Sequence, residues 1–155
     1  MKKADLTFVA DSTLGKLAKN LRLAGFDTLL DKRVPDACNL IRLAAEKRII
    51  LTRSTRVNKA LSFGKTLFIQ DERPSAQMHQ VITSLGLRPD DLRPLSRCAP
   101  CNRCLDPMSK DDALGRVPEH VWHQHSVFKQ CPDCKRVYWQ GSHAERLKKH
   151  MQNWF

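Results

Sequence analysis

The stretch LTFVADSTLGKLAKNLRLAG, residues 6–25, changes its hydrophobic period once and thereby indicates how the chain folds. Leu6 to Ala10 is a short apolar run of strand type. From Ser12 onward, leucine and alanine recur at helical spacing up to Gly25, a residue type that often follows the last turn of a helix. A strand followed directly by an amphipathic helix predicts the first half of a β-α-β unit.

The same alternation continues to about residue 92. Further strands are predicted at 26–30, 48–52 and 66–70, and helices from Pro35, at 55–61 and at 74–85. Four strand–helix repeats predict an α/β fold with a mostly parallel sheet covered by helices and right-handed crossovers. Proline and aspartate in 87–94 are typical of a linker. We therefore predict one domain at 1–92 and a smaller module at 95–155.

Composition narrows the class of partner. The 155 residues include 27 Lys and Arg against 16 Asp and Glu, a formal charge of +11. Such an excess indicates a polyanionic partner, most commonly nucleic acid. The apolar runs are too short for a transmembrane helix, and the first residues lack the apolar stretch of a signal peptide. The expected location is the cytoplasm, with no membrane association.

Five of the six cysteines lie in the C-terminal part. Cys98-x-x-Cys101 and Cys131-x-x-Cys134 form two pairs at the spacing of zinc knuckles, so four thiolates are predicted to hold one structural Zn²⁺. Such a site would supply much of the folding energy of a small module. Two alternatives stay open: cysteines without metal, and an iron–sulfur ligand run that uses Cys104.

Carboxylates follow the predicted strands. Asp11, Asp31 and Asp71 each come just after one, and Asp36 lies near the start of the next helix. Because the carboxyl ends of parallel strands share one edge, these acids could gather Mg²⁺ or Mn²⁺ for phosphodiester hydrolysis. Asp is also a common helix cap, which would explain the same pattern without a metal. After the third strand the residue is Ser54, which could cap the next helix or bind a metal-held water.

Basic and aromatic side chains near these positions are candidates for RNA contacts. Phosphate-binding candidates flank the predicted acidic edge: Lys32, Arg33, Arg53, Arg56 and Arg73. A solvated surface is the simpler explanation for any one of them, and their placement in loops beside the acids favours the group as a whole. Trp139, after the second cysteine pair, could stack on an unpaired base or pack the small module.

Several motifs, in this order, resemble the Mut-seven C-terminal RNase-domain family over about residues 6–147. The motifs are Phe8-Val9-Ala10-Asp11, Leu14-Gly15-Lys16-Leu17-Ala18, Leu21 to Asp27, Arg48 to Arg53, Ser96-Arg97-Cys98 with Cys101-Asn102, and Tyr138 to His143. The resemblance implies a PIN-like nuclease fold, a zinc ribbon fused behind it, and divalent-metal-dependent RNase activity. The cysteine pairs match the family's knuckles, which favours the quartet over a pairing through Cys104.

The resemblance also indicates which acidic residues correspond to the acids of the family. Asp11 matches the family's first acid and Asp36 its second. The family's Leu-Thr-Arg-Asp element is here Leu51-Thr52-Arg53-Ser54, so the final acid is absent. Asp71 or Asp31 would have to compensate.

The leading hypothesis is an endoribonuclease in which Asp11, Asp36 and Asp71 hold Mg²⁺ or Mn²⁺. Its partner is RNA, free or within a ribonucleoprotein. The alternative is a weakly active or inactive PIN-like module that binds RNA or a ribonucleoprotein, which Ser54 favours. A zinc ribbon that binds only protein fits the charge less well. The sequence does not indicate the RNA substrate, the cleavage position or the oligomeric state.

Overall fold

A computed structural model describes residues 2–32, 46–61 and 65–155. Four strands form one parallel sheet in the order β2-β1-β3-β4. They are β1 Thr7–Ala10, β2 Asp27–Leu30, β3 Ile49–Thr52 and β4 Thr66–Phe68. Each strand is one or two residues shorter than predicted. The parallel sheet flanked by helices confirms the α/β prediction, and it places all four carboxyl ends along one edge.

Three described helices from the same part of the chain pack on this sheet: α1 Gly15–Leu23, α2 Thr55–Ala60 and α3 Pro74–Leu85. A 3-10 turn over Ser12–Leu14 leads into α1, and Asp11 caps that turn by accepting from the Thr13 amide. Proline in the first turn starts α3, and Gly86 ends it in the left-handed conformation. The helix predicted from Pro35 lies outside the described residues.

Two apolar clusters lie on the two faces of the sheet. Phe8 points to one face, where it meets Phe26 edge to face at 5.6 Å between ring centroids. Its neighbour Val9 packs on the other face with Ile50 and Val57. The alternation follows from the two-residue period of a strand. Because both faces are covered, β3 is buried along its whole length.

The C-terminal part contains a three-stranded antiparallel sheet in the order β5-β6-β7. Its strands are Asp106–Met108, Phe128–Gln130 and Val137–Trp139, joined through α4 Lys110–Ala113 and α5 Glu119–Gln124. The final helix, α6 Ser142–Gln152, returns to the parallel sheet, where Met151 and the following Trp154 enter its core. The boundary near residue 95 stays a prediction.

The segment predicted as a linker contains a 3-10 turn, Pro89–Asp91, and contacts the turn between α1 and β2. The Arg93 amide donates to the Ala24 carbonyl at 2.8 Å. Gly25 has a φ of +100°, and a Cβ there would lie 2.5 Å from the Arg93 carbonyl oxygen. Only glycine fits this turn. Within the described ranges, no helix is long and apolar enough to span a bilayer.

Candidate functional site

Four cysteine side chains converge between the two sheets. The Sγ atoms of Cys98, Cys101, Cys131 and Cys134 all lie within 4.8 Å of one another, and those of Cys98 and Cys134 are 3.7 Å apart. Tetrahedral Zn²⁺ with Zn–S bonds of about 2.3 Å places its sulfur atoms about 3.8 Å apart. The quartet can therefore hold a metal ion, and its donors and spacing are consistent with structural zinc.

The two cysteine pairs are built alike. In the first, the Cys98 amide donates to the Arg103 carbonyl and the Asn102 amide to the Cys98 carbonyl, at 2.8 and 2.9 Å. In the second, the Cys131 amide donates to the Arg136 carbonyl and the Lys135 amide to the Cys131 carbonyl, at 3.0 Å each. The residue after each second cysteine has a left-handed backbone, with φ of 61° at Asn102 and 62° at Lys135. This repeated turn aims both thiols of a pair at one point.

Neighbouring groups shift the pKa values of the cysteine thiols in opposite directions. The Tyr138 hydroxyl lies 3.1 Å from the Cys98 sulfur, and burial together with this contact raises the pKa of Tyr138. The Arg136 amide lowers the pKa of Cys134 to about 7, whereas contact with Cys134 raises the pKa of Cys101 to about 12. Of Cys101 and Cys134, Cys134 is therefore the thiol that ionises more readily.

Cys104 is exposed and stands apart from the quartet. Its backbone forms an isolated antiparallel bridge with Arg97. Among the residues that the structure describes, the quartet is the one group of three or more potential metal ligands within reach of a single ion.

Asp11 lies at the carboxyl end of β1 and is 1% exposed. Its Oδ1 accepts from the amide and the hydroxyl of Thr13, at 2.9 and 2.5 Å. Its Oδ2 accepts from the Thr52 hydroxyl at 2.6 Å and from the Arg53 amide at 2.9 Å. Four donors thus fix the carboxyl group at the centre of the sheet edge.

The neighbour of Asp11 on this edge is Asp31. Ala10 pairs with Leu30 on β2 and with Leu51 on β3. The pairing continues one residue further, because the Asp31 amide donates to the Ala10 carbonyl at 2.9 Å. Adjacent strands are about 4.8 Å apart, so Asp31 lies one strand from Asp11. Both side chains are buried, at 9% and 1% exposure.

Ser54 begins α2, where its hydroxyl accepts from the Val57 amide at 3.2 Å. It therefore acts as the helix cap that was one of the two sequence interpretations. Its own amide donates to the Thr52 hydroxyl at 3.0 Å, which links it to the hydrogen bonds around Asp11.

The predicted acid Asp71 lies away from Asp11. Asp71 follows β4, two strands from β1, which corresponds to about 10 Å between the strands. Its exposed carboxylate accepts from the Arg73 amide at 2.9 Å and does not share the hydrogen bonds of Asp11. Asp36 lies outside the described residues, so its approach to Asp11 stays a prediction.

Three of the predicted phosphate-binding residues lie at this edge. Lys32 follows Asp31 and is exposed, and Arg56 is exposed in the first turn of α2. Arg53 is half-buried, and its guanidinium contacts Glu72 at 3.2 Å. Arg33 lies outside the described residues.

Trp139 is half-buried in the small module. It packs beside the cluster of Ala113, Val121 and Phe128, and a Cβ at Gly141 would lie 2.6 Å from its indole nitrogen. This is the packing alternative considered for the sequence. Its contact with RNA stays a prediction.

Sequence reasoning missed three residues that organise the site. Thr13 and Thr52 orient Asp11, and Asn102 joins the first cysteine pair to β2. The signal for Thr13 was its position two residues after an acid at a helix start. Thr52 and Asn102 lie within motifs of the family resemblance, but no local pattern indicates their contacts, because their partners are distant in sequence.

The fold and the site define an α/β protein with a parallel sheet, a buried carboxylate at its edge and a cluster of four cysteines that could hold a metal ion. A family model, the Mut7-C RNAse domain, matches residues 6–151, and the chain belongs to this family. The family indicates a nuclease-like role on RNA. No curated protein and no solved structure matches the chain.

Proposed function

We propose that this protein is a divalent-metal-dependent endoribonuclease that hydrolyses phosphodiester bonds at the carboxyl edge of the parallel sheet. The observation that carries the proposal is the position of Asp11, buried at this edge beside Asp31 and flanked by Lys32 and Arg56. Family membership supplies the class of substrate, which is RNA, free or within a ribonucleoprotein.

Asp11 and Asp31, with Asp36 by resemblance to the family, would hold Mg²⁺ or Mn²⁺. A bound cation of this kind lowers the pKa of a water and offsets charge on the phosphate. The donors around Asp11 leave room for such a ligand, because two of the four are hydroxyl groups. A hydroxyl can rotate away and free a lone pair, whereas the amides of Thr13 and Arg53 keep the carboxyl oriented.

The remaining parts of the chain would bind and position the RNA. Lys32 and Arg56 can neutralise backbone phosphates on either side of Asp11. The cysteine quartet would hold structural zinc and brace the small module against the sheet. We place this activity in the cytoplasm, where thiols stay reduced and available to metal.

The test is cleavage of a mixed RNA pool with Mn²⁺, with Mg²⁺ and with EDTA. Cutting should require the cation and should be lost in Asp11→Asn. Asp5→Asn is the matched control, since Asp5 is a half-exposed acid paired with Arg93 at 3.3 Å. Equal cutting by Asp11→Asn and the native chain would place the active site elsewhere.

A second candidate function is an RNA-binding module without catalysis. It is favoured by Ser54, whose hydroxyl caps α2 where the family has an acid. Ser54→Asp restores the carboxylate, and Ser54→Asn is its neutral control, since both residues cap helices well. If Ser54→Asp cuts RNA and neither the native chain nor Ser54→Asn does, the native protein is the binding module. If none of the three cuts but all bind RNA, the binding module is again supported.

A further inference from the structure

Strand β2 lies at the end of the described sheet, and its outer side meets the first cysteine pair. The Thr28 amide donates to the Asn102 Oδ1 at 3.0 Å. The Thr28 carbonyl accepts from the Arg22 Nε at 2.9 Å. Two side chains thus satisfy backbone groups that a neighbouring strand would otherwise bind.

Asn102 also belongs to the metal-binding turn. It follows Cys101 directly, has a φ of 61°, and its amide donates to the Cys98 carbonyl at 2.9 Å. Its Nδ2 donates to the Asp27 carboxylate at 2.8 Å. The backbone of this single residue therefore completes the cysteine turn, while its side chain holds both the amide and the carboxylate of β2.

Arg22 fastens the same turn from α1. Its Nη1 donates to the carbonyls of Ala99 and Pro100, the two residues between the paired cysteines, at 3.0 Å each. The guanidinium thus spans from β2 to the metal-binding loop. Any movement of this loop changes the hydrogen bonds on the outer side of β2.

The second cysteine pair offers the internal comparison. Lys135 occupies the position that corresponds to Asn102, with a φ of 62° and an amide that donates to the Cys131 carbonyl at 3.0 Å. Its side chain is exposed and makes no hydrogen bond within the described structure. The two turns share a backbone and differ in whether the side chain reaches the sheet.

We propose that Asn102 couples metal binding at the cysteine quartet to the ordering of β2. A metal ion that fixes the first turn places Asn102 against Thr28 and Asp27. By thermodynamic reciprocity, an ordered β2 then raises the affinity of the quartet for metal by the same factor. Since β2 ends beside Asp31, metal loading would also fix the position of Asp31 at the acidic edge. This last consequence alone rests on the proposed function.

The experiment compares Asn102→Gly with Lys135→Gly in the full chain. Glycine adopts a positive φ readily, so both variants keep the turn and each loses one side chain. Zinc affinity is measured by chelator competition. Hydrogen exchange is measured at the Thr28 amide, with the Asp11 amide as reference because it donates to the Leu51 carbonyl inside the sheet at 3.0 Å.

Asn102→Gly should lower zinc affinity about tenfold and speed exchange at Thr28 about tenfold, while exchange at Asp11 is unchanged. Lys135→Gly should leave both quantities within about twofold of the native values. Removing zinc from the native chain should speed exchange at Thr28 to the level of Asn102→Gly.

Two results would overturn the coupling. One is an equal loss of zinc affinity in both variants, which would assign the effect to the turn backbone. The other is faster exchange at Thr28 with unchanged zinc affinity, which would leave Asn102 as an edge cap only.

If Asn102→Gly does not fold, Asn102→Asp replaces it. This variant loses the hydrogen-bond donor to Asp27 and should also lower zinc affinity. An unchanged zinc affinity would refute the coupling. None of these measurements uses RNA, so their outcome is independent of the proposed nuclease activity.

Discussion

Replacing Asp11 by asparagine removes one charge and one hydrogen-bond acceptor from a side chain whose two oxygens already accept four hydrogen bonds. The native carboxylate accepts from two amides and two hydroxyls, and it is 1% exposed. Asparagine has a single oxygen, and its NH₂ group donates. In either rotamer this NH₂ faces a backbone amide, that of Thr13 or that of Arg53. A hydroxyl can turn and accept from the NH₂ group, but an amide cannot.

The cost follows from these contacts. One orphaned backbone amide costs about 1–3 kcal/mol, and the remaining hydrogen bonds lose about 1 kcal/mol when the acceptor is no longer charged. We therefore expect Asp11→Asn to lower the free energy of unfolding by about 2–4 kcal/mol. For a chain of this size, that corresponds to a fall in Tm of roughly 8 °C.

The assay is urea unfolding followed by circular dichroism, with Tm as an independent measure. Asp71→Asn makes the same chemical change at an exposed carboxylate, whose oxygen can still accept from the Arg73 amide. It should change stability by less than about 0.5 kcal/mol. A loss below about 1 kcal/mol in Asp11→Asn, with an unchanged m-value, would refute the hydrogen-bond network described around Asp11.

Four further outcomes are expected. Elemental analysis should find about one zinc per chain, which Cys131→Ser should lose and Cys104→Ser should keep. RNA affinity should fall steeply as salt rises, because binding releases counterions from the phosphates; a flat dependence would contradict the electrostatic interpretation. Burial alone would raise the pKa of Asp27, but hydrogen bonds from Arg48 and Asn102 outweigh it and lower the pKa below 3.8. The ionised Asp27 therefore stabilises the fold above its ordinary pKa, and this stability should be lost as the pH falls below about 4, with a shallower loss in Asp27→Asn. Gly25→Ala should destabilise the chain by more than about 2 kcal/mol in urea unfolding, because the added Cβ meets the Arg93 carbonyl at a positive φ.

The parallel layer was predictable because its signals are local. The change of period within residues 6–25 gave β1 within one residue, and the β-branched run at 48–52 gave β3. The helical pattern from Ser12 gave α1 as well, although residues 12–14 form a 3-10 turn and the α-helix begins three residues later, at Gly15. The cysteine quartet was predictable for the same reason, since each pair is a single turn. The three strands of the small module are only three residues each, too short to show a period, and they were not predicted individually.

The arrangement of the acids along the sheet edge could not be predicted from local sequence signals. Alternating strands and helices predict that all carboxyl ends share an edge, but they do not give the order of the strands. The order β2-β1-β3-β4 makes Asp31 the neighbour of Asp11 and puts Asp71 two strands away. The contact between Asn102 and Thr28 joins residues 74 positions apart, which no periodicity encodes. Likewise, the return of Trp154 to the first core depends on how the two sheets sit together.

The structure also changes what can be inferred about catalysis from Asp11 and from the residue at position 54. Asp11 has a structural reason to be an aspartate, because four donors converge on it whether or not a cation binds there. The identity of residue 11 alone therefore does not distinguish an enzyme from a binding module; the nuclease proposal rests on the position of Asp11 beside Asp31, Lys32 and Arg56. Position 54 is different: Ser and Asp cap α2 about equally well, so the fold accepts either residue. Only metal chemistry would distinguish them, since a carboxylate can bind a divalent cation far better than a hydroxyl. The residue at position 54 is therefore the more informative of the two, and the comparison of Ser54→Asp with Ser54→Asn isolates the added charge while the helix cap stays in place.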